Sequence, residues 1–109
     1  MARPRVESVS GSLIHLPQTP PQGLSEQEVE LGGERLSVIV RREGEQVQAW
    51  LNVCPHAGRR LDYAPGRFLL HQGLLVCAAH GASFDLADGR CVAGPCKGAS
   101  LVPVPLAPG

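Results

Sequence analysis

Two short motifs constrain this chain more than anything else in it. They are Cys54-Pro55-His56 and, after twenty intervening residues, Cys77-Ala78-Ala79-His80. Each places one thiol and one imidazole within a turn of chain, two residues apart in the first and three in the second. Thiolate and imidazole at such spacing are metal ligands. Brought face to face, the two loops offer two sulfur and two nitrogen donors. Zinc also accepts two Cys and two His, but finger-type sites pair C-x-x-C with H-x-x-x-H, so each loop there supplies one kind of donor. Here each loop mixes the two kinds. Mixing suits a two-iron centre in which each loop gives one residue to each iron, and zinc is the alternative.

The remaining composition fits a small folded carrier of such a site. At 109 residues, with 43% apolar and 18% charged residues, the chain is long enough for one modest core. Ten Pro and 13 Gly call for short elements and many turns, and with four aromatics Leu and Val must fill most of the interior. The net charge of zero removes the electrostatic case for nucleic acid. Residues 1–53 carry five basic and seven acidic groups (−2), and residues 54–109 carry five and three (+2). That small asymmetry is compatible with an acidic docking partner and equally with ordinary solvated surface. The N-terminus is charged and has no apolar leader, and no apolar run approaches the length of a membrane span. A cytoplasmic location without membrane contact is the simplest expectation.

The chain then divides into short strands. Leu13-Ile14-His15-Leu16 is an opening strand, and Thr19-Pro20-Pro21-Gln22-Gly23 is a loop. Ser25-Glu26-Gln27-Glu28 resembles a helix cap, but Gly32-Gly33 follows too soon, so a strand ending in a Gly-Gly hairpin is expected. The β-branched run Leu36–Val40 turns at Gly44 into Val47–Val53, which delivers Cys54. A second hairpin, Phe68–Leu70 and Leu74–Val76 around His71-Gln72-Gly73, delivers Cys77. Ser83–Leu86 precedes the turn Ala87-Asp88-Gly89, and Leu101–Val104 closes the fold as a last strand. The expected class is all-β, with residues 1–28 as an N-terminal strand and Pro-rich loop inside the same single domain as the core at 29–109.

On these residues the chain resembles the Rieske family, whose [2Fe–2S] cluster is held by two Cys on one iron and two His on the other. The resemblance covers about residues 29–104. It includes Ala49-Trp50, Cys54-Pro55-His56-Ala57-Gly58-Arg59-Arg60-Leu61, Cys77-Ala78-Ala79-His80-Gly81-Ala82-Ser83-Phe84-Asp85, Asp88-Gly89-Arg90, Gly94-Pro95 and Leu101–Val104. It implies small antiparallel sheets with two hairpin loops around one cluster. It also implies Cys54 and Cys77 on the inner iron, with His56 and His80 on the outer one. Gly58 and Gly81 are expected to let backbone N–H groups approach the cluster sulfurs. Neutral imidazoles in place of two thiolates make the cluster less negative, which raises its potential and couples it to imidazole protonation.

Departures from the family pattern narrow this. High-potential members have a disulfide between the loops, at positions occupied here by Arg59 and Ala79. They also have Ser and Tyr hydroxyl donors where this chain has Ala82 and Phe84. The expected potential therefore lies at the low end of the Rieske range, roughly −150 mV. Cys91 and Cys96 sit in the stretch that resembles the family's Pro-containing loop; a disulfide, a second metal and two thiols are all open to them. Thiols are the default for a cytosolic chain. Trp50 is expected in the core, His15 and His71 on the surface, and Arg59 and Arg60 beside the first loop. A small apolar rim of Pro55, Ala57, Ala78, Ala79 and Pro95 is suited to transient docking.

No nucleotide fingerprint and no room for a mononuclear iron domain are visible. The leading expectation is a monomeric electron carrier, not an enzyme in itself, between a reductase and an oxygenase or comparable acceptor. A permanently bound Rieske-like small subunit of a larger reductase, such as nitrite reductase, is the alternative.

Overall fold

The computed structural model describes residues 13–31, 33–55, 58–77, 81–96 and 98–107. Among them there are eight strands and no helix, so none is long and apolar enough to cross a membrane. The strands are β1 (Gly23–Leu31), β2 (Glu34–Glu43), β3 (Gln46–Leu51), β4 (Asp62–Ala64), β5 (Arg67–His71), β6 (Leu74–Val76), β7 (Ser83–Asp85) and β8 (Cys91–Ala93). They form two compact units, one from Met1–Leu51 with Pro103–Gly109 and the other from Asn52–Val102.

The first unit holds the antiparallel meander β1-β2-β3. The expected hairpin between β1 and β2 is present, with Leu31 opposite Glu34. The helix-like cap at Ser25 lies within β1. Val38, Ile39 and Val40 are all buried, as are Ala49, Trp50 and Leu51 on the neighbouring strand. β-branched residues in the middle strand and an aromatic beside it, with Ile39 opposite Trp50, suit a pleated, covered surface. The buried Gln27 side chain accepts from Gln18 N–H (3.1 Å) and donates to Gln18 O (2.9 Å). It thereby satisfies a stretch of backbone that has no strand partner.

Two expected strands do not form. Around Ile14 there is a single parallel bridge to Leu106, with Ile14 N–H on Pro105 O and Ala107 N–H on Ile14 O. The closing segment likewise makes one bridge, Pro103 to Trp50, with hydrogen bonds from Leu101 N–H to Gly89 O and from Val104 N–H to Ala49 O. Pro103 and Pro105 have no N–H to give, so a continuous ladder cannot be built there.

The second unit is a five-stranded antiparallel meander, β4-β5-β6-β7-β8. The expected hairpin at 68–76 is its middle. β5 and β6 pair from Leu69 opposite Val76 to His71 opposite Leu74, and Gln72 and Gly73 both have positive φ (53° and 78°). Left-handed values at both positions match the twist of a two-residue hairpin. Its buried residues include Leu61, Leu75, Phe84, Cys91 and Leu101, with Leu75 opposite Phe84 and Phe84 opposite Cys91 across the strands. β4 and β8, three residues each, were not expected from the sequence.

A polar network closes the stretch between β3 and β4. Asn52 Oδ1 accepts from Leu61 N–H (2.8 Å) while its Nδ2 donates to Asp62 Oδ1 (3.0 Å). Arg60 forks onto the same carboxylate, Nε to Oδ1 at 2.9 Å and Nη2 to Oδ2 at 2.8 Å, and Gly66 N–H adds a bond at 3.1 Å. Burial raises the Asp62 pKa, but the bonds from Arg60, Asn52 and Gly66 and the charge of Arg60 outweigh it, and the carboxyl sits below its ordinary value. Asn52 and Asp62 are both buried, and the bond between their side chains ties the two together.

Asp62→Ala removes the shared acceptor of the Asn52 amide, the Arg60 guanidinium and Gly66 N–H, and is expected to cost about 1–3 kcal/mol in denaturant unfolding. Because the folded pKa is depressed, the carboxylate's contribution is full above the unfolded pKa and fades as pH falls through the folded one. The gap between wild type and variant should be level above about pH 5 and narrow below about pH 4; a gap independent of pH would refute the charged network.

Candidate metal centre

Each expected cysteine ligand stands just past the end of a strand. β3 ends at Leu51 and Cys54 follows; β6 ends at Val76 and Cys77 is next. Both cysteines are bracketed by the same pair of backbone hydrogen bonds. Cys54 N–H donates to Arg59 O (2.7 Å) and Gly58 N–H donates to Cys54 O (2.8 Å). Cys77 N–H donates to Ala82 O (2.7 Å) and Gly81 N–H donates to Cys77 O (2.9 Å). The offsets of five and four residues are identical, although the first motif is C-x-H and the second C-x-x-H. The two cysteines thus carry the same backbone bracket.

The glycine four residues after each cysteine makes this shape accessible. Gly58 and Gly81 have φ of 69° and 76°, in the left-handed region that side chains disfavour. A Cβ at either would meet no other protein atom within 4 Å, and both N–H groups are spent on cysteine carbonyls. Among the protein atoms it is conformation, not crowding, that calls for glycine here.

Cys54 and Cys77 are 1% and 2% exposed, and neither is in a disulfide. Two enclosed thiols in matched loops, each followed by an imidazole in sequence, form a donor set that fits a cluster with mixed sulfur and nitrogen ligation. His56 and His80 lie outside the described residues, as do the rim residues Ala57, Ala78 and Ala79. The other rim positions, Pro55 and Pro95, are exposed. Ala82 and Phe84 are fully buried, so neither offers a hydroxyl from inside the second loop. Ser83 Oγ donates to Gly81 O (3.1 Å).

Other expectations meet mixed outcomes. His15 and His71 are exposed, and Trp50 is buried within its own unit. Cys91 and Cys96 are joined as a disulfide, with Cα atoms 6.0 Å apart, contrary to the default of two thiols. Their Cα separation lies within the range a bridge requires. Arg60 is not a loosely solvated loop cation but the bidentate partner of Asp62, whereas Arg59 is exposed. Asn52 and Asp62 were missed altogether. Their only signal in the sequence is a pair of small polar residues at the two ends of a ligand-loop motif.

Known proteins bear on this geometry in three ways. A family model described as the Rieske [2Fe-2S] domain matches residues 10–106. A search of the curated proteins found no significant match. Among solved structures, the chain is similar to the ferredoxin of carbazole 1,9a-dioxygenase from Nocardioides aromaticivorans IC177. The identity is 26% and the TM-score 0.57, over 84% of this chain and 83% of that one. With both cysteine loops inside a match that runs through both units, the chain belongs to the Rieske [2Fe-2S] domain family, and its cofactor is one [2Fe-2S] cluster.

Proposed function

We propose that this chain is a low-potential Rieske-type ferredoxin, a one-electron shuttle between a reductase and an oxygenase or similar acceptor. Cys54 and Cys77 would hold one iron and His56 and His80 the other. The observation that carries this reading is the pair of matched hydrogen-bonded brackets around two enclosed cysteines. Bound there, the cluster supplies a single site of reversible one-electron transfer. The chain's own residues do the rest. The brackets hold the two thiols at fixed backbone positions, and burial keeps water from them. Exposed Pro55 and Pro95 give small, uncharged surface for a brief encounter. Buried Ala82 and Phe84 withhold hydroxyl donors that would stabilise the more negative, reduced state, which supports the low-potential assignment.

We take residues 1–109 as one domain, since the family match passes through both compact units. A cytoplasmic, monomeric carrier is the simplest form of this proposal. The similar ferredoxin belongs to a carbazole dioxygenase, which supports an oxygenase as acceptor. The second reading, a permanently bound subunit, draws support from Tyr63, Leu69 and Leu70 on β4 and β5, which are 62%, 43% and 52% exposed. Large apolar side chains left exposed in this way suit a lasting contact. Stoichiometric co-purification with a larger reductase through a high-salt wash would favour that subunit role over the shuttle.

Electron paramagnetic resonance of dithionite-reduced protein should give a rhombic signal averaging below the free-electron value, with about two irons per chain by metal analysis. One zinc per chain and no signal would leave a structural binding module. Cys54→Ala and Cys77→Ala should each abolish iron binding, while Cys91→Ala and Cys96→Ala should retain it. Phe84→Tyr should raise the midpoint potential. A hydrogen bond about 1 kcal/mol stronger to the reduced state corresponds to roughly 40 mV for one electron. An unchanged or lower potential in a well-folded variant would remove the missing hydroxyl as the cause.

A further inference from the structure

The Cys91–Cys96 disulfide lies outside the proposed ligand set, yet it touches the second ligand loop through a single residue. Cys91 belongs to β8, where it is paired with Phe84 of β7, and Cys96 closes the turn that follows. Between them Gly94 (φ 93°) packs so closely that a Cβ there would lie 2.8 Å from Ala82 Cα and 3.1 Å from both Ala82 N and Gly81 O. Ala82 supplies the carbonyl that brackets Cys77, and Gly81 supplies the N–H. The bridged segment is thus pressed against the two residues that hold the Cys77 loop shut.

We infer that Cys91–Cys96 is a reversible thiol–disulfide site, reduced by dithiols, whose closed form clasps the Cys77 loop. The chemistry needs only a dithiol as reductant. Its thiolate attacks Sγ of Cys96, the less enclosed of the two at 7% against 2% exposure, beside exposed Pro95 and Gly98. The S–S bond breaks as the mixed disulfide forms, and Cys91 leaves as thiolate. The reductant's second thiol displaces Cys96 and becomes its own disulfide. Two electrons and two protons pass to the pair. Cys91 Sγ lies 3.2 Å from Ala93 O, which is placed to accept the new S–H.

Reduction leaves a framework in place. Cys91 N–H donates to Ala99 O (2.9 Å) and Ala99 N–H to Cys96 O (2.8 Å), and neither bond depends on the bridge. With only five residues of separation the bridge closes a short ring, so its constraint is local and the fold persists without it. What is lost is the tension that holds Gly94 on Gly81 and Ala82. The Cys77 loop then opens more often, and a ligand held there is more easily lost.

The test uses the full chain as purified under air and after incubation with dithiothreitol. Thiols are counted by alkylation after denaturation and iron removal, and cluster loss is followed as bleaching by a chelator. Two thiols before native dithiothreitol treatment and four after it, with several-fold faster bleaching, is the expected result. A Cys91→Ser/Cys96→Ser double variant should bleach at the faster rate and ignore dithiothreitol. Four thiols without reductant, two after it, or equal bleaching rates in the two forms would overturn the inference. The dependence on the ligand assignment is confined to the bleaching arm: if Cys77→Ala retains iron, that assignment fails while the thiol count still reports on the bridge.

Discussion

The proposed cluster site rests on two cysteine peptides whose N–H and C=O are both engaged by their own loops. A cysteine at a strand end would ordinarily present its thiol from a mobile connection. Here the N–H bond to the residue five ahead and the C=O bond from the residue four ahead remove that freedom twice over, at Cys54 and at Cys77. The glycines that close these brackets have left-handed φ, which side chains disfavour. At both cysteines the backbone is held by hydrogen bonds within the protein.

The sheets serve that arrangement by bringing two loops out of two hairpins. β3 runs into the first and β6 into the second; β3 ends in the buried Leu51, and β6 carries the buried Leu75 one residue before its end. Only Arg60 and Leu61 separate the first bracket from β4, and the Asn52–Asp62–Arg60 network spans it, tying the residue two before Cys54 to the first residue of the next strand. A buried carboxylate is stabilising only while its partners stay, so this tie is strong and brittle together.

Much of this was legible in the sequence, for definable reasons. The C-x-H and C-x-x-H motifs carry chemistry in residue type and spacing, so the cysteines and their loops could be placed, and alternating apolar runs marked β2, β3, β5 and β6. β4 and β8 were not legible because three residues cannot display a period. The terminal strands were overestimated, since Leu13–Leu16 and Leu101–Val104 have the apolar character of strands while neighbouring prolines deny them the donors of a ladder. The Cys91–Cys96 bridge could not be read from a spacing equally compatible with thiols. Nor could the role of Arg60, whose meaning comes from Asp62 being turned inward.

The bridge between Trp50 and Pro103 sets where the chain departs for the second unit and where it comes back. Residues 52–102 leave after Leu51 and return at Pro103, and these two junctions lie on facing backbone positions, with Val104 N–H bonded to Ala49 O. An inserted segment whose two ends are neighbours is a cassette. It can be lengthened, shortened or exchanged without altering the span that its host must close. Both cysteine loops and the disulfide lie inside this cassette, while the three-stranded sheet lies outside it. Selection, or an engineer, can thus vary the redox-active half of the molecule by substitution at a single pair of splice points and leave the other hydrophobic core as it stands.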